Sequence, residues 1–156
     1  MSTNKFNLFL ENARLLSDNL GIVSLLYGSL GLEYLTGEAL GVDDIDILVP
    51  CVFITERWNE FKAFLEVQGY VLVDEHEHTF VRDGMAYSYA DIEDLESFAG
   101  IRMKDIEMRK ADGVHFLLLS LEQYLAVYKQ SSKDGYRVNV RQKKDADKIR
   151  FIESKL

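Results

Sequence analysis

Tyr27-Gly28-Ser29-Leu30-Gly31, followed by Asp43-Asp44-Ile45-Asp46-Ile47-Leu48-Val49, is the stretch on which the reading of this chain turns. Ile22 to Tyr27 is an apolar run between Gly21 and Gly28 and reads as a buried strand. Gly28-Ser29 is a tight turn, and Leu30 to Leu35 reads as a short helix behind it. Asp44 to Val49 reads as a second strand, stopped by Pro50. Successive side chains on a strand point to opposite faces, so Asp44 and Asp46 share one face while Ile45 and Ile47 enter the core. The Cα atoms of the two aspartates then lie about 7 Å apart, from a rise of ~3.3 Å per residue. Asp43 has the parity of Ile45 and points away.

Outward from this block the pattern is regular. Phe6, Phe9, Leu10, Ala13, Leu16 and Leu20 recur at helical spacing, with Thr3 or Asn4 as the cap and Gly21 as the stop. Thr55 reads as the cap of a helix to about Gln68, with Trp58, Phe61, Phe64 and Leu65 as its stripe and Gly69 beyond it. Tyr70 to Val73 is a strand. Arg82-Asp83-Gly84 and Ala111-Asp112-Gly113 each join two apolar-rich runs as hairpins. Asp91 to Phe98 turns helical, with Gly100 as its stop. Ser120 with Gln123 forms a capping box before a helix whose face is read as Leu121, Leu125 and Tyr128. Lys133 to Tyr136 reads as loop, and Gln142 to Ser154 as a last helix with Ile149 and Ile152 inward. This order predicts one α/β (α+β) domain over residues 1–156, a mixed twisted sheet with flanking helices, its C-terminal helices starting near 120.

Two carboxylates on one strand face, with open positions, suit a hard divalent ion such as Mg²⁺ (or Mn²⁺). Gly28-Ser29, between a strand and a helix, presents backbone N–H groups and a hydroxyl, a ready anion site. Together they fit a metal bridged to the phosphates of a nucleotide.

Gly28-Ser29 followed by Asp44-Ile45-Asp46 resembles the signature of the DNA polymerase β-like nucleotidyltransferases. The wider phrase from Gly28 to Glu38, and the late Lys144-Asp145-Ala146-Asp147 helix, look like small antibiotic nucleotidyltransferases and minimal bacterial relatives. That resemblance implies transfer of a nucleoside monophosphate from an NTP to a hydroxyl of a small molecule or protein. It implies metal at Asp44 and Asp46, and phosphates at Gly28 and Ser29. It implies a third carboxylate, as base or ligand, for which Asp91 is the better strand fit and Glu93 the alternative. It also places Lys129 toward the triphosphate; a solvated helical lysine is the competing reading. Fourteen residues separate Ser29 from Asp44, and Leu40-Gly41-Val42 stands where antibiotic-modifying relatives often carry Arg and His. The same fold retained as a silent nucleotide-binding or protein-interaction module is the alternative function.

Other features narrow the field. The chain has 156 residues and a net charge of −8. From Lys129 onward nine basic and four acidic residues give +5, whereas the first 128 residues carry nine and 22, a balance of −13. Such a body repels phosphate backbones, which argues against polymeric nucleic acid as partner. Cys51 is the only cysteine, so no intramolecular disulfide forms, and a reducing, cytoplasmic setting without membrane partner is the expectation. His76 and His78 alternate on an expected hairpin strand and could face a Zn²⁺ or Cu²⁺, but only His115 remains as a further histidine. Tyr87 and Tyr89 share the parity of Asp91 and either stack a base or pack.

Overall fold

The computed structural model describes residues 2–133 and 138–156, with side chains from 5–133 and 144–156. The elements are α1 (Ser2–Leu20), β1 (Leu25–Tyr27), α2 (Gly28–Thr36), β2 (Asp44–Val49), α3 (Trp58–Val67), β3 (Val71–Asp74), β4 (Thr79–Arg82), β5 (Met85–Asp91), α4 (Asp94–Ala99), β6 (Glu107–Ala111), β7 (Val114–Leu118), α5 (Leu121–Ser132) and α6 (Val138–Lys155). The strands form one seven-stranded sheet in the order β3-β4-β5-β2-β1-β7-β6. β2 runs parallel to β5 and β1 parallel to β7, while the remaining pairs are antiparallel. The architecture is therefore the mixed α/β sheet with flanking helices that the element order predicts.

Alternation on β2 divides the core. Ile45, Ile47 and Val49 pack with Tyr87, Tyr89 and Phe116 against Phe9 of α1 and Phe61 of α3. Leu48, on the opposite parity, joins Leu25, Leu117, Leu95, Tyr124, Val127 and Ile152 on the other side. Tyr87 and Tyr89 are thus packing residues, not an exposed stacking platform. The two hairpin turns form as the sequence reads them. Asp83-Gly84 and Asp112-Gly113 hold positive φ at both central positions, the geometry that matches the twist of antiparallel strands. Ser120 and Gln123 make the reciprocal capping box.

Several boundaries differ for physical reasons. α1 already runs through Thr3 and Asn4, so neither is its cap. Thr55 does not cap α3: a 3₁₀ turn over Cys51–Ile54 intervenes, and the Thr55 hydroxyl donates back to the Cys51 carbonyl. The ladder of β1 begins at Leu25, preceded by one bond from Leu117 N–H to the Ser24 carbonyl. The buried face of α5 is Tyr124 and Val127, with Leu121, Leu125 and Tyr128 at its margins. His76 and His78 lie in the turn between β3 and β4 rather than on a strand, and the His78 ring meets Trp58 edge-on at 4.6 Å. Most of the expected loop Lys133 to Tyr136 lies outside the described residues, and no helix among those described is long and apolar enough to cross a membrane.

Candidate active site

Asp46 sits at the centre of the sheet. On β1 its partner is Tyr27, and on β5 its partner is Ser88. Directly after Tyr27 the chain turns into α2 through Gly28, at φ +66°. A Cβ built on Gly28 would fall 2.5 Å from Asp46 Oδ2. Two requirements therefore meet at one residue: a left-handed backbone, and room for a carboxylate. Asp44 lies two residues back on the same face, exposed, at the outer start of the strand. Ser29 follows in the first turn of α2, half-buried.

Asp46 and Gly28 open onto a cavity of about 540 Å³ between the sheet and helices α4 and α5. One wall is a ladder of tyrosines. Tyr27 stacks on Tyr124 at 6.4 Å between centroids, and Tyr124 on Tyr128 at 6.3 Å. The Tyr124 hydroxyl donates to the Leu26 carbonyl at 3.3 Å, through space left by Gly31, where a Cβ would collide with it. Burial, then the neighbouring Tyr128, Tyr27 and Asp46, push the Tyr124 phenol well above its ordinary pKa, so it stays a neutral donor. Glu77, Asp94, Phe98 and Ser131 complete the polar and aromatic rim. Partial burial, then the charge of Asp91, hold the Asp94 carboxyl above its usual range.

The sequence expectations separate here. Gly28 and Asp46 are brought into contact, with Asp44 and Ser29 beside them. Asp91 is not brought to their face. Pairing of Asp46 with Ser88 puts Asp91 opposite Val49, on the parity of Tyr87 and Tyr89. Its Oδ1 accepts the Glu93 backbone N–H at 2.8 Å, and its carboxylate lies with the Cys51 thiol and the Glu93 carboxylate, ligand atoms within 4.8 Å of one another. Asp91 also borders an adjoining cavity of about 450 Å³, which shares Tyr27, Asp94 and Phe98 with the first. Lys129 is exposed and 4.0 Å from Glu153 Oε2 on α6, away from the α5 stripe of Tyr124, Tyr128 and Ser131 that faces the cavity. That stripe, spaced by four and three residues, is the signal that would have revealed the wall and excluded Lys129.

The donor set fits one hard divalent ion: two carboxylates on one strand face, with Gly28 leaving the approach to Asp46 open. At the position of β5 that faces Asp46 the chain supplies a hydroxyl, Ser88, linked to Thr79 Oγ1 at 2.8 Å, rather than a third carboxylate.

The protein YnaI of Bacillus subtilis (strain 168), described only as uncharacterized, is 39% identical over 147 residues, 94% of each chain. The chain belongs to the YnaI family. No protein-family model matches it. Its fold is that of a nucleotidyltransferase. The crystal structure of ANT(2'')-Ia in complex with adenylyl-2''-tobramycin superposes with a TM-score of 0.62 at 15% identity, over 94% of this chain and 87% of that one. A solution structure of the antibiotic-resistance factor ANT(2'')-Ia gives 0.58 at 14% identity, over 99% and 91%.

Proposed function

We propose that this YnaI-family protein is a Mg²⁺-dependent nucleotidyltransferase that moves a nucleoside monophosphate from an NTP to a hydroxyl of a small acceptor and releases pyrophosphate. The observation that carries the reading is the contact of Gly28 with the Asp46 carboxylate at the mouth of the cavity. Asp44 and Asp46 would hold the ion, which when bound neutralises phosphate charge and polarises the reacting phosphoryl group. The first turn of α2, with Ser29, receives the phosphate oxygens through backbone N–H groups and a hydroxyl. The tyrosine wall excludes water and gives the nucleoside or acceptor a flat apolar surface. Asp94, which borders both cavities and has a raised pKa, takes the proton of the acceptor hydroxyl, with Asp91 close by. Positioning and electrostatics then supply the rate.

The test has two arms. Mg²⁺ with each of four NTPs is expected to raise the melting temperature, by about 2.7 kcal/mol of stabilisation at 100-fold excess over Kd. Asp44→Asn with Asp46→Asn is expected to abolish that shift. No shift with any NTP overturns the nucleotide site. Pyrophosphate release over a panel of hydroxyl acceptors is then compared for wild type, Asp94→Asn, Asp91→Asn and Glu93→Gln. Loss of about 10²–10⁴-fold is expected in Asp94→Asn, the usual range for a general base. Loss in another variant alone moves the role there.

A second reading has its own observation. Ser88 stands where a third carboxylate would face Asp46, which favours a catalytically silent nucleotide-binding module. Nucleotide binding with no pyrophosphate release from wild type would support that reading.

A further inference from the structure

We propose that β6 is the edge through which two copies of this chain pair, antiparallel and centred on Met108. β6 ends the sheet, and among the described residues no strand pairs with its outer side. Its inner partner, β7, decides which backbone groups are left over. The two-residue turn Asp112-Gly113 makes Ala111 and Val114 a hydrogen-bonded pair, and such pairs alternate along an antiparallel ladder. Ala111, Arg109 and Glu107 therefore bond inward, while Lys110 and Met108 turn N–H and C=O outward. Leu117, opposite Met108, has the same phase: its N–H donates to the Ser24 carbonyl, away from β6. Met108 is 55% exposed, so the free edge carries an apolar side chain as well. The other end of the sheet differs. β3 shifts register between Leu72 and Asp74, and an irregularity of that kind blunts an edge.

The charges on β6 choose the occupant. An antiparallel self-pair centred on Glu107, Arg109 or Lys110 sets that residue against its own charge. Centring on Met108 instead sets Glu107 opposite Arg109 on both sides of the axis, and the two Met108 residues exchange both backbone bonds. The Lys110 N–H then reaches the Ile106 carbonyl of the second copy, while the Ile106 N–H keeps its own acceptor, the Met103 carbonyl. Within one chain the ion pair is loose: Arg109 Nε stands 3.5 Å from Glu107 Oε1, buried and without a hydrogen-bond partner. Across the edge each residue gains an opposite charge directly facing it. A second copy carries this match by its own sequence. β1 and β7 separate β6 from β2 and Asp46, so the pairing does not depend on the nucleotide reading.

Sedimentation equilibrium of the full chain tests the pairing. Wild type is expected to dimerise with a Kd on the order of 10–100 μM, the weak range of a small interface. Glu107→Arg puts arginine opposite Arg109 in both halves and is expected to weaken dimerisation at least about tenfold. Arg109→Glu is expected to act likewise. Glu107→Arg combined with Arg109→Glu restores opposite charges in the same register and is expected to return the Kd to within about threefold of wild type. Met108→Pro removes an outward N–H, which an edge strand tolerates, and is expected to leave a monomer. It serves as the test if Arg109→Glu, which also gives up the contact of the guanidinium with the Tyr34 ring at 5.9 Å, does not fold. Wild type that stays monomeric up to about 1 mM overturns the proposal. So does a dimer undiminished in folded Glu107→Arg and Met108→Pro, or a folded double exchange that stays monomeric.

Discussion

Asp46 and Asp91 occupy neighbouring parallel strands, three residues apart in register, yet they have different company. Asp46 packs against Gly28 beneath the tyrosine wall. Asp91 closes the other parity of β5, opposite Val49, with its carboxylate beside Cys51 and the Glu93 backbone. Both are acidic residues on a strand, and the difference between them is register. Pairing Asp46 with Ser88 fixes every β5 side chain to a face, and a shift of one residue would exchange them. Which carboxylate faces the cavity is thus set by strand pairing before it is set by residue type.

The largest effect that tests this division lies within β2 itself. Ile47 is fully buried, and Ile47→Ala is expected to cost about 2–5 kcal/mol through lost burial and the cavity left behind. Its neighbour Asp46 faces the cavity, and Asp46→Asn is expected to cost less than about 1 kcal/mol. Urea denaturation of both variants checks the contrast. Equal losses would make Asp46 a structural residue and remove the functional meaning of the alternation.

Two glycines sharpen the same contrast at smaller cost. Gly28 and Gly37 both hold positive φ, +66° and +74°. Alanine at either is expected to lose about 1–2 kcal/mol from the left-handed backbone, roughly 2–8 °C in melting temperature for a domain of this size. Nothing lies within 4 Å of a Cβ on Gly37, whereas one on Gly28 meets Asp46. Only Gly28→Ala should therefore lose the Mg²⁺–NTP melting shift. If Gly37→Ala loses it equally, the close approach at Gly28 has no role in binding.

These residues also show how far the sequence could be read. Local chemistry was legible: β2 spans Asp44–Val49 as its alternation and Pro50 dictate, the Asp-Gly hairpins turn where they should, and Ser120 with Gln123 starts α5. Gly28 and Asp46 meet as the motif requires, because an antiparallel pair with β1 keeps both at the centre of the sheet. Long-range register was not legible. Nothing local in Met85–Asp91 states that Ser88, rather than Asp91, faces Asp46, since the parallel pairing is set across α3, β3 and β4. Lys129 lies off the cavity wall for a different reason. The face of α5 was centred on Leu121, Leu125 and Tyr128 by hydrophobicity, while the tyrosine hydroxyl of Tyr124 finds a buried partner and takes the centre instead. Glu77 and Asp94 reach the cavity from a turn and a helix start, positions that carry no periodic signal.

The smallest effect reads the Asp91 side directly. The Cys51 thiol is pushed above its ordinary pKa, first by its hydrogen bond with Asp91 and then by burial. Thiolate is the reactive form, so at neutral pH Cys51 should be alkylated more slowly than a free thiol. Asp91→Asn removes the negative charge and lowers the thiol pKa, and more thiolate forms. Nucleophilicity falls along with pKa, with a Brønsted slope of about 0.4–0.5, so roughly half of that gain on a logarithmic scale survives as rate. The expected outcome is a rise of a few-fold in iodoacetamide labelling at pH 7, followed by mass spectrometry, with Asp46→Asn unchanged. A pH profile separates this from loosening of the chain, because a lowered pKa moves the midpoint of the rate curve to lower pH while added exposure raises the plateau. A midpoint unmoved by Asp91→Asn but shifted by Asp46→Asn would reverse the assignment of the two carboxylates and, with it, the register argument that separates them.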